Sequence, residues 1–350
     1  MKRLPRNPEK FDTVELFTAM SREHDYELQS TKDQADFLSK IGASIKSAAD
    51  DQRLLHGKRV EGLFQHVAGA LGGCLMIKPE DSGAMVAAGL NIRAPDYSVV
   101  LKSGLRLLIE VKSCFLVDCK SNYEFTRDYL EGLENYARLQ GADLKFAIYY
   151  SQWNKWVLLS KQAFVEHKRK FTINFLHAMA KNEMATLGDR SIGTTPSLAI
   201  ELVASQDNDS SISSDGIAKF VIGGIRAFCA GEEVTNSKDI QLVFQFVRFG
   251  RWVEAENKAV LDGDKVKSLR FEYRPHENEW DKEAGFAIVG DLSSLVSSAY
   301  NEHTVYERKV IALDSKYDPE FFKVDIADGY SGENLPLWQI QFEPNFDFKP

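Results

Sequence analysis

The sequence predicts an α/β protein with a mixed central sheet flanked by helices, followed by a second domain of α+β class. Two observations carry this reading. Helical periodicity marks residues 33–49, 58–71 and 128–140, while five short apolar runs between and after them have the length of strands. The resulting order, helix, strand, strand, strand, helix, strand, strand, suits a sheet covered by helices on its faces.

The first 50 residues read as helical. Between Asp33 and Ala49, the residues Ala35, Phe37, Leu38, Ile41, Ile45 and Ala48 recur at helical spacing. From Lys58 to Leu71, the residues Val60, Leu63, Phe64, Val67, Ala68 and Leu71 fall on one face, and Gly72-Gly73 ends the helix. The runs CLMIK, PDYSVVL and LRLLIEVKS follow as strands, the last two joined by a tight Lys-Ser-Gly turn. Asp128–Gln140 is helical by pattern, with Gly141 as its break. LKFAIYY and WVLLS are strands about a QWNKW turn, in which Trp153 and Trp156 suit hairpin packing. Lys161–Asn182 reads as helical. In the second half, Lys238–Ala255 and Lys267–Arg274 read as strands and Leu292–Tyr300 as a helix.

The Ser, Asp and Asn-rich stretch SQDNDSSISSDG, residues 205–216, has almost nothing to bury. It places a boundary: 1–190 as the first domain, 191–216 as linker, and 217–350 as an acidic α+β domain of unknown role. Charge divides along the same line. Residues 1–200 carry 27 Lys and Arg against 24 Asp and Glu, whereas residues 201–350 carry 16 against 27. The first half can approach a phosphate backbone through Lys2–Arg6, Lys58–Arg59 and His167–Lys170. The second half is unsuited to wide phosphate contact, and suggests contact with a protein partner or a second copy of the chain.

No apolar run reaches the length of about 18 residues that a membrane span needs. The charged N-terminus has no apolar stretch behind it, so a cytoplasmic location is expected. Four cysteines, at 74, 114, 119 and 229, are too scattered for a disulfide framework or a structural zinc site.

The chemistry concentrates in APDYSVVLKSGLRLLIEVKS. Glu110 and Lys112 are two apart on a strand and so project to one face, while Val111 points to the other. The apolar run Leu107–Ile109 makes that strand buried, so two opposite charges leaving it together call for a reason. Asp96 begins the partner strand and reaches the same neighbourhood. Two carboxylates and a lysine suit hydrolysis of a phosphodiester: hard oxygen ligands hold Mg²⁺, and an ammonium offsets charge on phosphate oxygens. Glu80 and Asp81 precede the hairpin and read as a solvated loop. His56 and His66 read as structural.

The pattern Pro95-Asp96, thirteen residues, then Glu110-Val111-Lys112 resembles the PD-(D/E)XK nuclease superfamily, which includes restriction endonucleases and Holliday-junction resolvases. The likeness covers roughly residues 55–160. It implies a restriction endonuclease-like sheet, with an acidic residue from the preceding helix, here Glu61 in KRVEGLFQHV, and site residues from the following helix, here Tyr136 and Gln140. It implies that Asp96, Glu110 and the carbonyl of Val111 ligand Mg²⁺, with Mn²⁺ as substitute. Glu61 is expected to bind a second metal or its water, and Lys112 to position the attacking water. Gln65, Tyr136, Gln140, Lys168, Arg169 and Lys170 are candidate substrate contacts. The expected function is metal-dependent hydrolysis of DNA. The alternative is a nuclease-like subunit that binds nucleic acid or a partner without cutting. A role in defence is analogy alone.

Overall fold

The computed structural model describes residues 1–4, 8–9, 12–80, 85–208, 210–277 and 282–349. Arg6, Asp81 and Asp209, which the sequence singled out within wider segments, lie outside the described residues. The chain forms two compact units. One comprises 1–183, 300–321 and 345–350; the other comprises 184–299 and 322–344.

In the first unit, helices α1 (Asp12–His24) and α2 (Thr31–Asp50) precede α3 (Gln52–Leu71). Asp51 caps α3 by accepting from the amides of Arg53 and Leu54. The expected face of α3 is buried: Val60, Leu63, Phe64, Val67, Ala68 and Leu71 all lie in the core. Then come β1 (Cys74–Pro79), β2 (Tyr97–Leu101), β3 (Arg106–Cys114), β4 (Asn122–Thr126), α4 (Arg127–Gln140), β5 (Asp143–Tyr150), β6 (Lys155–Leu159), β7 (Val165–Glu166), β8 (Lys170–Asn174) and α5 (Phe175–Ala180).

The central sheet runs β1-β2-β3-β5-β6. Its pairs are antiparallel except β3 with β5, which are parallel and joined through α4. This is a mixed sheet within an α/β unit, as the sequence predicts. The core strand β3 has Leu107, Leu108 and Ile109 fully buried, each side chain contributing roughly 1.5–3 kcal/mol by transfer from water.

Alternation along β3 assigns the two faces. Ile109 pairs with Tyr97, whose ring meets Phe64 of α3. Glu110 and Lys112 lie opposite Phe146 and Ile148, which pack in one cluster with Leu130 and Leu133 of α4. Glu110 and Lys112 therefore leave the sheet on the α4 face.

Lys161–Asn182 is not the helix that the sequence suggests. It forms the β7–β8 hairpin and the short α5, because Phe171 and Ile173 alternate into an aromatic cluster with Phe125, Phe146 and Phe164. His167–Lys170 is consequently the tip of a hairpin.

The second unit contains β9 (Ser191–Thr194), β10 (Leu198–Ala204), β11 (Ser211–Ile212), β12 (Ala218–Lys219), β13 (Ile222–Cys229), β14 (Glu232–Val234), α6 (Ser237–Phe249), β15 (Val253–Asp262), β16 (Lys265–Arg274), β17 (Ala287–Asp291) and α7 (Leu292–Thr304), whose last turn belongs to the first unit. The short strands β18 (Val305–Tyr306) and β19 (Lys309–Val310) also lie in the first unit, and β20 (Leu337–Ile340) returns to the second. One sheet runs β14-β13-β10-β16-β15 and another β17-β9-β20.

Three expectations change here. Residues 191–204 are not linker but hold strands β9 and β10, the latter with Leu198 and Ala199 fully buried between β13 and β16. Residues 238–249 are helix rather than strand. Asn236 caps α6, and Leu242, Val243 and Phe246 are buried at helical spacing. Finally, 300–321 joins the first unit rather than an independent C-terminal domain. There the Asp314 carboxylate accepts from His66 at 2.8 Å and from Arg3 at 2.6 Å.

Candidate active site

Three elements build the site: the start of β2, the end of β3 and the first turn of α4. The β2–β3 ladder ends at Tyr97 with Ile109, so Asp96 stands one step beyond it, level with Glu110. The loop before Asp96 is fastened to α4. The Arg93 amide donates to the Gly132 carbonyl at 3.0 Å, and Asn91 donates to the Asp128 carbonyl. Gly132 permits this approach, since a Cβ there would meet the Arg93 Cβ at 3.1 Å.

Asp96 Oδ2 accepts from the Val111 amide at 2.7 Å. This bond ties the start of β2 to the residue between Glu110 and Lys112. The Lys112 ammonium donates to Glu110 Oε1 at 2.5 Å and to the Tyr129 hydroxyl at 2.7 Å. Tyr129 in turn donates to Glu110 Oε1. Glu110 is 3% exposed, whereas the Lys112 side chain retains 27% exposure, so the lysine reaches solvent and the glutamate does not.

The electrostatics follow from this crowding. Burial, then the nearby Glu110 carboxylate, push the Asp96 carboxyl up to about 7; Glu61 adds to this, and the Val111 amide and Lys112 oppose it. Burial favours a neutral Lys112, but Glu110 and Tyr129 overcome it and hold the ammonium above its ordinary range. Burial and Glu110 push the Tyr129 hydroxyl up to about 12. At neutral pH, therefore, Lys112 is a cation and Tyr129 a neutral donor.

Glu61 lies on α3, where its carbonyl accepts from the Tyr97 hydroxyl at 2.9 Å. Its carboxylate pairs with Lys58 at 2.7 Å. With Lys112 it lines a cleft of about 880 Å³. Among the described residues, no three His, Cys, Asp or Glu side chains form a ready-made metal cluster. The two acids Asp96 and Glu110 and the backbone are what the hairpin offers.

The other candidates are spread more widely. Tyr136 donates to Glu80 at 2.7 Å, not to Glu110. Gln140 accepts from Arg106, at the opposite end of β3 from Lys112. The reason is direction. α4 returns from the end of β3 to the start of β5, so its first turn meets Lys112 and its last meets Arg106. From Tyr129 to Gln140 the helix advances roughly 16 Å. Gln65 is half-buried one turn after Glu61 on α3. Lys168, Arg169 and Lys170 are exposed at the β7–β8 tip, where Lys170 pairs with Glu124.

Tyr129 is the site residue that sequence reasoning missed. Its apolar neighbours on α4 make it look like core. The available signal was its position in the first turn of the helix that follows β3, close behind the Thr126 cap.

No protein-family model and no curated protein matches this chain. Among solved structures, the chain is similar to a Holliday junction resolvase from the archaeal hyperthermophile Archaeoglobus fulgidus. The match is 21% identical and covers 31% of this chain and 82% of that one, with a TM-score of 0.24. No helix of the described residues is long and apolar enough to cross a membrane.

Proposed function

We propose that the first unit is a metal-dependent nuclease that hydrolyses phosphodiester bonds, with DNA as its substrate, and that it belongs to the PD-(D/E)XK superfamily. One observation carries the reading: Asp96, Glu110 and Lys112 converge at the end of a buried strand, with the two acids behind and the ammonium toward solvent.

A hard divalent cation fits the donors present. Burial first, and then the charge of Glu110, raise the Asp96 pKa, and a bound cation would offset both. Every described hydrogen bond to Glu110 falls on Oε1, which leaves Oε2 for such an ion. Asp96, Glu110 and the carbonyl of Val111 would hold Mg²⁺ or Mn²⁺. When bound, the ion supplies Lewis-acid polarisation of a phosphoryl oxygen and eases the ionisation of water.

The protein groups do the rest. Lys112, held charged, orients the attacking water and offsets the charge that builds on phosphate oxygens. Glu110 and Tyr129 fix the ammonium, and the Asp96 bond to the Val111 amide locks the strand that carries it. Glu61 orients water from the α3 side. The acidic second unit serves for contact with a protein partner or a second copy rather than with phosphate.

The test is incubation with supercoiled plasmid, linear duplex, single strand and RNA, in Mg²⁺ and in chelator. Mg²⁺-dependent cleavage of DNA is expected. Metal binding with no cleavage of any substrate would assign the unit to binding alone.

A further inference from the structure

Arg59 is a buried cation with no anionic partner among the described residues. It sits on α3 among the residues lining the same cleft as Glu61 and Lys112, and it is only 6% exposed. Its Nη1 donates to Asn301 Oδ1 at 2.6 Å and to Thr304 Oγ1 at 3.3 Å. Both partners are neutral. Its Nε is buried with no hydrogen-bond partner. Among the described residues no carboxylate pairs with it, and the titratable groups around it are the tyrosines 149 and 300 and His56, whose imidazole is held below its ordinary range by burial and by Arg59 itself.

A guanidinium taken from water without an anion is costly, and hydroxyl and amide oxygens do not restore the missing charge. The cleft around Arg59 adds to the deficit, for the guanidinium groups of Arg53 and Arg308 also line it. Arg308 is brought there by the two-residue β18–β19 turn, in which Glu307 and Arg308 both take positive φ, 47° and 64°. Non-glycine residues adopt that conformation at a cost. Glu61, the acid that does line the cleft, is paired with Lys58 instead.

We propose that Arg59, with Arg53 and Arg308 at the rim, forms a phosphate subsite beside the carboxylate–lysine site. Its ligand is a phosphate group of the nucleic acid being cut. Arginine suits this because its planar fork donates two parallel hydrogen bonds to phosphate oxygens. The identity of the polymer rests on the nuclease reading, but the anion site does not.

Inorganic phosphate is the first probe, with unfolding temperature read in chelator. Phosphate is expected to raise the unfolding temperature of the wild type and of Glu110→Gln alike, and to have no such effect on Arg59→Gln. Arg53→Gln and Arg308→Gln, both on exposed positions, are expected to weaken phosphate binding about threefold or more. They decide the matter if Arg59→Gln does not fold. Duplex binding in chelator then separates the two sources. Tighter binding of a 5′-phosphorylated duplex than of a 5′-hydroxyl duplex, lost in these variants, assigns an end phosphate. Equal binding of both, weakened about tenfold by Arg59→Gln, assigns a backbone phosphate. Phosphate without effect on the wild type, or rim variants that bind it as the wild type does, would overturn the subsite. Phosphate binding in a protein that cuts nothing would retain the subsite and remove the nuclease.

Discussion

The Asp96 carboxylate accepts a hydrogen bond from the amide of Val111 at 2.7 Å. It thereby bridges the start of one hairpin strand to the point on the other from which Glu110 and Lys112 project. A single partly buried contact sets the spacing of the acid–acid–lysine group and leaves one carboxylate crowding another.

Replacing Glu110 by Gln, or Lys112 by Met, should lower Mg²⁺-dependent cleavage by about 10²–10³ or more, as removal of a charge-stabilising group does elsewhere. Circular dichroism should show the fold retained, since both side chains point toward the site end of β3. Cleavage within twofold of wild type in either variant would remove these residues from the chemistry.

In chelator, stability should depend on pH through Asp96. Its folded-state pKa is raised from 3.8 to about 7, so the folded state holds the proton more tightly than the unfolded state. The contribution is complete below about pH 4 and is lost as pH rises toward 7. Urea midpoints for the wild type should fall across this window, and Asp96→Asn should flatten that part of the profile. Identical slopes for the two proteins would show that Asp96 is not the group responsible.

Tyr129→Phe keeps the ring and deletes the hydroxyl shared by Glu110 and Lys112. A loss of about 1 kcal/mol in stability is expected from the missing hydrogen bonds. Cleavage should fall roughly tenfold through looser positioning of the ammonium. Full activity with unchanged stability would make the hydroxyl incidental.

Gln140→Ala should leave the cleavage rate within about twofold of wild type, because Gln140 meets Arg106 at the far end of β3. A large loss of activity would mean that substrate runs the whole length of α4.

What was legible in the sequence was local. The two-residue spacing of Glu110 and Lys112 fixed a common face, and the apolar stripe of α3 and the Gly141 stop of α4 matched the structure. What was not legible depended on tertiary packing. Phe171 and Ile173 read as part of a helix, whereas packing with Phe125 and Phe164 makes them strand residues. Val243 and Phe246 read as strand residues, although Asn236 caps a helix there. Arg59 read as a surface base beside Lys58. It is buried because residues 301 and 304, more than 240 positions away, close over it.

Calorimetric titration with Mn²⁺ at pH 6.5, in two buffers of different ionisation enthalpy, tests the heart of the matter most directly. One saturable site is expected in the wild type, with release of a fraction of a proton as the cation displaces it from Asp96, and no such site in Asp96→Asn. No binding to the wild type, or equal binding to Asp96→Asn, would contradict the assignment of the hairpin acids to a metal-dependent nuclease.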